Sequence, residues 1–142
     1  MRRVDFYFNA ADKADVAMRL AAKAYQGGQC TLLYTDEEAL AAQLDKGLWT
    51  AQQLSFIPHV RCGHPLAAKT PILIGTQPEA LASCDVVINL TRAPPECLDR
   101  FDRLIEIVTV DESDRHEARG RYRFYKERGY VLETHDLNRE SP

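Results

Sequence analysis

The chain has 142 residues, of which 45% are hydrophobic and 27% charged, and its formal net charge is −3. A chain of this length and balance can bury the core of one globular domain without disulfides or metals to staple it. The mild negative charge argues against binding along a nucleic-acid backbone, which requires a basic surface.

The N-terminal residues run straight into a strand pattern, without the long apolar stretch of a signal peptide. No window of the sequence approaches the length of a membrane span. The four cysteines are scattered, include no CxxC pair and are expected to be reduced: Cys30, Cys62, Cys84 and Cys97. We therefore expect one domain, residues 1–142, that is soluble, cytoplasmic and without a membrane partner.

The first predicted unit is a strand followed by a helix. Residues 4–8 (VDFYF) predict the strand, and Asp12 is suited to cap the helix. Apolar residues then recur at helical spacing from Val16 to Ala24. The helix should end at Gly27-Gly28, because glycine accepts the left-handed conformation of a C-terminal cap.

The second unit repeats this order. Residues 30–34 (CTLLY) predict a strand, and Thr35 with Glu38 forms a capping box for a helix that should stop near Gly47. Alternating strands and helices predict an α/β fold, in which a mainly parallel central sheet is covered on both faces to give a three-layer sandwich.

Three further strands are predicted at residues 71–75, 85–90 and 104–108. The second of them, DVVINL, is an apolar, β-branched run and should lie centrally in the sheet. A loop rich in glycine and proline, residues 61–71, precedes these strands. The last helix is capped by Asp111 or Ser113 and ends at Gly129, with a short extension over residues 130–132.

Motifs of cofactor binding and catalysis are missing from the sequence. The turn at residues 9–12 lacks the glycines of a dinucleotide fingerprint, and the turn at residues 75–78 lacks the lysine and the length of a P-loop. Polar residues at strand ends suit helix capping better than catalysis. We therefore expect no catalytic residue, no cofactor and no enzyme activity of the chain's own.

One cluster has ligand types that zinc accepts. His59, Cys62 and His64 form an HxxCxH pattern in a predicted loop. A structural zinc site requires four ligands, and no fourth lies close in the sequence. We expect no bound metal here.

The last helix carries an unusual concentration of positive charge. On a helical projection Arg115, Arg119, Tyr122, Arg123 and Lys126 fall within about one third of the circumference. Like charges at i and i+4 repel, and few nearby acids are placed to relieve them. The face is either an ordinary solvated surface or a site for an acidic peptide that ends in a carboxylate, and the repulsion favours the second interpretation.

The second candidate surface is aromatic. Trp49, the only tryptophan, and Phe56 lie on a short irregular segment where neither a helix face nor a sheet face clearly requires them. Aromatic anchors in such segments often mark partner surfaces. A flap whose aromatics fold back into the core is an equally good interpretation.

Seven features in order resemble the chi subunit family of bacterial DNA polymerase III over residues 4–130. They are the VDFYF strand, the helix ending in GG, LLYTDEEA, LW, SFIPH, DVVINL and ARGRYRFYKERGY. The resemblance implies a Rossmann-like fold and a non-enzymatic accessory subunit of the clamp-loader complex. The chain departs from the family pattern in the loop over residues 61–71 and after residue 130.

The resemblance also implies two partners. Members of the family bind the acidic C-terminal tail of single-stranded-DNA-binding protein, which ends in Pro-Phe, and here Arg115, Arg119, Tyr122 and Arg123 match the contact positions. They also form a heterodimer with the psi subunit, and Trp49 and Phe56 match that surface. Contact with the rest of the clamp loader is then indirect, and no direct binding to DNA is expected.

Two alternatives remain open at this point. One is a Rossmann-like enzyme that acts on a nucleotide or phosphate ester and holds its ligand at Asn9, Asn89 or Thr91. The other is direct nucleic-acid binding through the last helix, which would show a steep dependence on salt.

Overall fold

A sheet of seven strands forms the middle layer of the computed structural model, which describes residues 3–50, 58–62, 70–82, 84–95 and 101–138. Its order is β3-β4-β2-β5-β6-β1-β7, and every pair of neighbours runs parallel. The predicted α/β fold with a mainly parallel sheet is thus confirmed. The strands are β1 (Arg3–Ala10), β2 (Thr31–Tyr34), β3 (His59–Arg61), β4 (Ile72–Gly75), β5 (Val86–Asn89), β6 (Arg103–Thr109) and β7 (Val131–Asp136).

Helices cover both faces of this sheet, as the three-layer prediction required. The helices α1 (Lys13–Gln26) and α2 (Glu38–Thr50) share one core with the side chains of one sheet face. The helix α3 (Glu112–Glu127) and a short 3₁₀ helix, Pro78–Ala82, share a second core on the opposite face. Within the described ranges, none of the helices has both the length and the apolar character needed to cross a membrane.

The strand β5 lies between β2 and β6, and all four of its residues are buried. Its apolar side chains alternate between the two cores, with Ile88 on the side of α1 and Val87 on the side of α3. The prediction that this β-branched run is central is therefore confirmed.

The ends of α1 and α3 follow the predicted capping signals. The Asp12 carboxylate accepts a hydrogen bond from the backbone N–H of Asp15, and Asp111 accepts one from the backbone N–H of Asp114. After the two helices, Gly28 and Gly129 have φ angles of 79° and 80°, the left-handed region that glycine enters without strain.

The helix α2 departs from its prediction at both ends. Thr35 Oγ1 accepts a hydrogen bond from the N–H of Glu37 at 3.1 Å, a local turn in place of the predicted capping box. The helix also continues through Gly47 to Thr50, where the sequence predicted a stop. A Cβ atom at Gly47 would lie 2.8 Å from Met18 Sδ, so a larger residue here would require the Met18 side chain of α1 to move.

Both edge strands were underestimated from the sequence. The strand β3 at one edge has only three residues and pairs with β4, in a region predicted to be irregular. The strand β7 at the other edge pairs with β1 over six residues, where a short extension was predicted. Neither strand has the uninterrupted apolar run of a central strand, because an edge strand packs on fewer neighbours.

The prediction of reduced cysteines is wrong for one pair. Cys30 and Cys84 are joined by a disulfide, with their Cα atoms 5.2 Å apart. Cys30 precedes β2 and Cys84 precedes β5, and these two strands are neighbours in register. The topology therefore brings together two residues that are 54 positions apart in sequence.

Candidate functional site

The inner face of α3 holds the helix against the sheet. Ala118, Arg121 and Tyr125 are buried, and Tyr122 is half-buried at the border of this stripe. Ala118, Tyr122 and Tyr125 therefore face the sheet. Arg121 is only 2% exposed and takes no part in a surface site.

A buried polar network explains the position of Arg121. Its Nε donates to Glu106 Oε1 at 3.0 Å, and its Nη1 donates to the carbonyl of Arg92 at 3.2 Å. Glu106 Oε2 accepts from the Tyr125 hydroxyl at 2.5 Å and from Asn89 Nδ2 at 2.9 Å. Burial raises the pKa of Glu106, and the positive charge of Arg121 opposes that rise. The network ties α3 to β5 and β6.

Sequence reasoning missed this network, although a signal for it existed. Glu106 interrupts the apolar run LIEIV of β6, and Arg121 falls three residues after the buried Ala118 on the helix. A charge at a core position of each element predicts a buried pair, because an isolated buried charge would be far too costly.

The outer face of α3 exposes two arginines one turn apart. Arg119 and Arg123 both lie in solvent, about 6 Å apart along the helix axis. Arg119 Nη2 lies 3.6 Å from Glu112 Oε1, so Glu112 is one of the few acids near these cations. Both side chains of that pair are largely exposed, and such pairs contribute little energy.

Arg115 extends this basic face toward the end of β1. Its Nη2 donates to Asn9 Oδ1 at 3.0 Å, and Asn9 Nδ2 donates in turn to Asp136 Oδ1 at 2.8 Å. The three side chains thus form a chain of hydrogen bonds from α3 through β1 to β7. Arg115 is half-buried, whereas Arg119 and Arg123 are exposed.

Tyr122 gives the basic face an aromatic border. Its ring centroid lies 5.3 Å from that of Phe6 in β1, and Phe8, on the same sheet face, is also half-buried. Beyond it, the Arg128 guanidinium lies 3.6 Å over the ring of Phe124. Apolar and cationic groups are therefore adjacent along α3, which brings Arg115, Arg119, Tyr122 and Arg123 onto one side of the molecule.

The second predicted surface is described only in part. Trp49 belongs to α2 near the end of that helix, so the prediction of an irregular segment is wrong for Trp49, because the helix runs on past Gly47. Phe56 lies outside the described residues. Of the HxxCxH cluster, His59 is buried in β3 with its Nε2 3.5 Å from Asp45 Oδ1, and Cys62 follows that strand. His64 lies outside the described residues.

The polar side chains at the strand ends make hydrogen bonds to other groups of the protein. Asn89 donates to Glu106 and to the carbonyl of Ala93, and its Oδ1 accepts from the backbone N–H of Thr91. Asn9 bridges Arg115 and Asp136. These contacts give each side chain a structural role and count against the nucleotide or phosphate-ester site considered at Asn9, Asn89 and Thr91.

A separate ionic cluster surrounds Asp5 on the opposite sheet face. The buried Asp5 carboxylate accepts from Arg3 at 2.9 Å and from Arg103 at 2.7 Å, and His135 Nε2 lies 3.0 Å away. Burial alone would raise the pKa of Asp5, but the hydrogen bonds from His135, Arg103 and Arg3 outweigh it and hold the pKa below its usual value. Asp5, Glu133 and His135 could offer metal ligands within 4.8 Å of one another, yet two guanidinium groups at the same carboxylate oppose a cation there.

Comparisons with known proteins agree with one another. The family model described as "DNA polymerase III chi subunit, HolC" matches residues 1–133. A protein named DNA polymerase III subunit chi from Pseudomonas aeruginosa is 37% identical over 98% of this chain and 99% of its own length. Proteins of the same name from Haemophilus influenzae and Escherichia coli are 30% and 28% identical, over 87% and 81% of this chain and 86% and 79% of their own lengths.

One solved structure resembles the fold alone. The crystal structure of the Pyrococcus furiosus Hef helicase domain aligns with a TM-score of 0.54 at 14% identity. The match covers 82% of this chain but only 28% of that longer one.

Proposed function

This chain belongs to the DNA polymerase III chi subunit family, and we propose that it is a non-catalytic accessory subunit linking the clamp-loader complex to single-stranded-DNA-binding protein. The observation that carries the proposal is the outer face of α3, where Arg119 and Arg123 lie exposed beside the aromatic border at Tyr122. In this role residues 1–142 act as one domain in the cytoplasm. The chain contacts neither DNA nor membrane directly.

The proposed ligand of this face is the acidic C-terminal tail of single-stranded-DNA-binding protein. Arg115, Arg119 and Arg123 supply guanidinium groups, which pair with carboxylates through two parallel hydrogen bonds. Tyr122, half-buried against Phe6, offers an apolar edge for the terminal Pro-Phe of the tail. The charges speed the encounter, and the apolar contact supplies specificity.

Arg119→Ala should weaken binding of the tail peptide by about 1–3 kcal/mol, the range for hydrogen bonds to charged groups. Calorimetry with a synthetic peptide that copies the tail measures this change. Arg19→Ala is the matched control, because Arg19 is an exposed arginine on α1 that pairs with Asp15 in the same helix. It removes the same charge from a different surface and should leave the affinity unchanged.

The salt dependence of binding distinguishes the proposed peptide binding from the alternative of nucleic-acid binding. Peptide binding should weaken with salt, but less steeply than binding to DNA, because few charges pair. A peptide without its terminal Phe tests the apolar half of the site by itself. Equal affinity of wild type and Arg119→Ala for the full peptide would place the site elsewhere.

The second proposed partner is the psi subunit, held in a heterodimer through the surface that carries Trp49 and Phe56. The family resemblance of the LW and SFIPH segments supports this assignment, and the heterodimer would connect the chain to the clamp loader indirectly. Anchors of this kind lose affinity when truncated, whereas core residues lose stability.

Phe56→Ala should therefore reduce co-purification with psi and leave the melting temperature nearly unchanged. Phe101→Ala is the contrasting variant, because Phe101 is 4% exposed and belongs to the core that α3 covers. It should lower the melting temperature. A large loss of stability in Phe56→Ala would instead make that residue part of the core.

A further inference from the structure

We infer that Asn9 is a positioning residue for the acidic-peptide site, fixing the Arg115 guanidinium from the end of β1. The inference rests on the proposed function of α3. Asn9 lies outside the helix that carries the peptide contacts, 106 residues from Arg115 in sequence.

The first support is the backbone of Asn9. Its φ angle is 67°, and among the described residues it is the only one other than glycine with a positive φ. Asparagine enters this region more readily than most residues, but the conformation still costs free energy that the surroundings must offset. The β1–β6 register shifts between Tyr7 and Ala10, at the same place. The positive φ angle and the register shift therefore coincide at the same irregular position near the end of β1.

The second support is the pair of hydrogen bonds that the side-chain amide of Asn9 makes. Asn9 Oδ1 accepts from Arg115 Nη2 at 3.0 Å, while Asn9 Nδ2 donates to Asp136 Oδ1 at 2.8 Å. Asp136 Oδ1 also accepts from the backbone N–H of Asn138 at 3.0 Å, which holds that carboxylate in place. Because both ends of the amide are engaged, its orientation is fixed and only the carbonyl side can face Arg115.

The third support is the entropy cost of immobilising the Arg115 side chain when the peptide binds, which the hydrogen bond to Asn9 reduces. A free arginine has several rotatable bonds, and immobilising one on binding costs about 0.5–1.5 kcal/mol. A guanidinium has five N–H donors, of which the bond to Asn9 uses one. Arg115 is thus oriented before the peptide arrives. Arg119 and Arg123 are exposed and must be ordered by the peptide.

The test uses Asn9→Gly, because glycine keeps the positive φ without strain and removes only the amide. We expect the tail peptide to bind about three- to tenfold more weakly, the fold-change that corresponds to freeing one long side chain. The melting temperature should change little. A structural defect elsewhere would instead lower the melting temperature.

A double-mutant cycle with Arg115→Ala makes the test specific. When Arg115 is absent, Asn9→Gly should have no further effect on peptide affinity. Asp136→Ala is the second variant, since it releases the Asn9 amide without touching Arg115, and its loss of affinity should likewise disappear without Arg115. Equal losses in both backgrounds, or no loss with Arg115 present, would overturn the inference.

These outcomes are distinct from failure of the proposed function. If wild type does not bind the peptide, or if Arg119→Ala binds as wild type does, the assignment of α3 itself is wrong. If Arg119→Ala weakens binding and Asn9→Gly does not, the site stands and the positioning role of Asn9 is wrong.

Discussion

Replacing Arg121 with methionine should lower the free energy of unfolding by about 3–5 kcal/mol, because it leaves Glu106 buried without its charged partner. Typical domains are stable by only about 5–15 kcal/mol, so the variant would lose a large fraction of its stability. Glu106 is fully buried and Arg121 is 2% exposed, so water cannot take the place of the missing guanidinium. Urea-induced unfolding followed by circular dichroism measures the difference.

The pH dependence of that variant follows from the pKa of Glu106. Burial already raises this pKa, and without the charge of Arg121 it should rise further. A carboxyl group whose folded-state pKa lies above its unfolded value binds more protons when folded, so stability falls as pH rises between the two values. The deficit of Arg121→Met should therefore be smaller in acid than at neutral pH.

Two further variants identify the cause. Arg119→Met changes an exposed arginine on the same helix and should alter stability by less than about 0.5 kcal/mol. Glu106→Gln combined with Arg121→Met removes the uncompensated charge and should recover part of the loss. If Arg121→Met costs no more than Arg119→Met, the pair does not anchor α3.

Asp5→Asn should be the second large effect, a loss of about 3 kcal/mol at neutral pH. The Asp5 carboxylate accepts from Arg3, Arg103 and His135, and an amide would turn N–H groups toward at least one of those donors. Asp5 is fully buried, whereas Arg3 and Arg103 are partly exposed and can recover some hydration.

At low pH the difference in the free energy of unfolding between the wild type and Asp5→Asn should disappear. The pKa of Asp5 is held below its usual value, so its carboxylate contributes stability that is present above about pH 4 and is lost as pH falls through the folded-state pKa. The pKa of Asp114 is also lowered: burial would raise it, but the N–H of Thr109 and the ammonium of Lys13 outweigh that effect. Asp114 is present in both proteins and cancels in the comparison. Unfolding curves at pH 7 and pH 3 measure the change, with Asp36→Asn at an exposed position as the control.

The strands and helices were predictable where local signals were strong. The apolar run of β5 and the capping aspartates at positions 12 and 111 led to correct assignments. The edge strands and the interior glycine of α2 were not predictable in the same way. The length of β7 depends on its pairing with β1, and the role of Gly47 depends on Met18 in another helix.

The candidate site likewise has features that local sequence predicts and features that depend on contacts between distant segments. Helical geometry alone places Arg119 and Arg123 on one outer face and Tyr122 at its border. It leaves Arg121 outside that face, but it could not reveal the partner that draws Arg121 inward, because Glu106 is on β6. It also could not reveal that Arg115 is held by Asn9 from the far end of the chain. Contacts between distant segments decided both cases.

The place of β1 in the sheet has a consequence for how the chain is synthesised. This first strand has only β6 and β7 as neighbours, and those strands begin at Arg103 and Val131. During translation β1 therefore has no strand to pair with until β6, residues 103–109, has left the ribosome. Pairings of such long range are slow to form, and an exposed apolar strand is prone to aggregate in the meantime. A nascent chain stalled before residue 103 would lack both β6 and β7, so β1 could not join the sheet. Incorporation of the first strand thus depends on the last two strands to be synthesised.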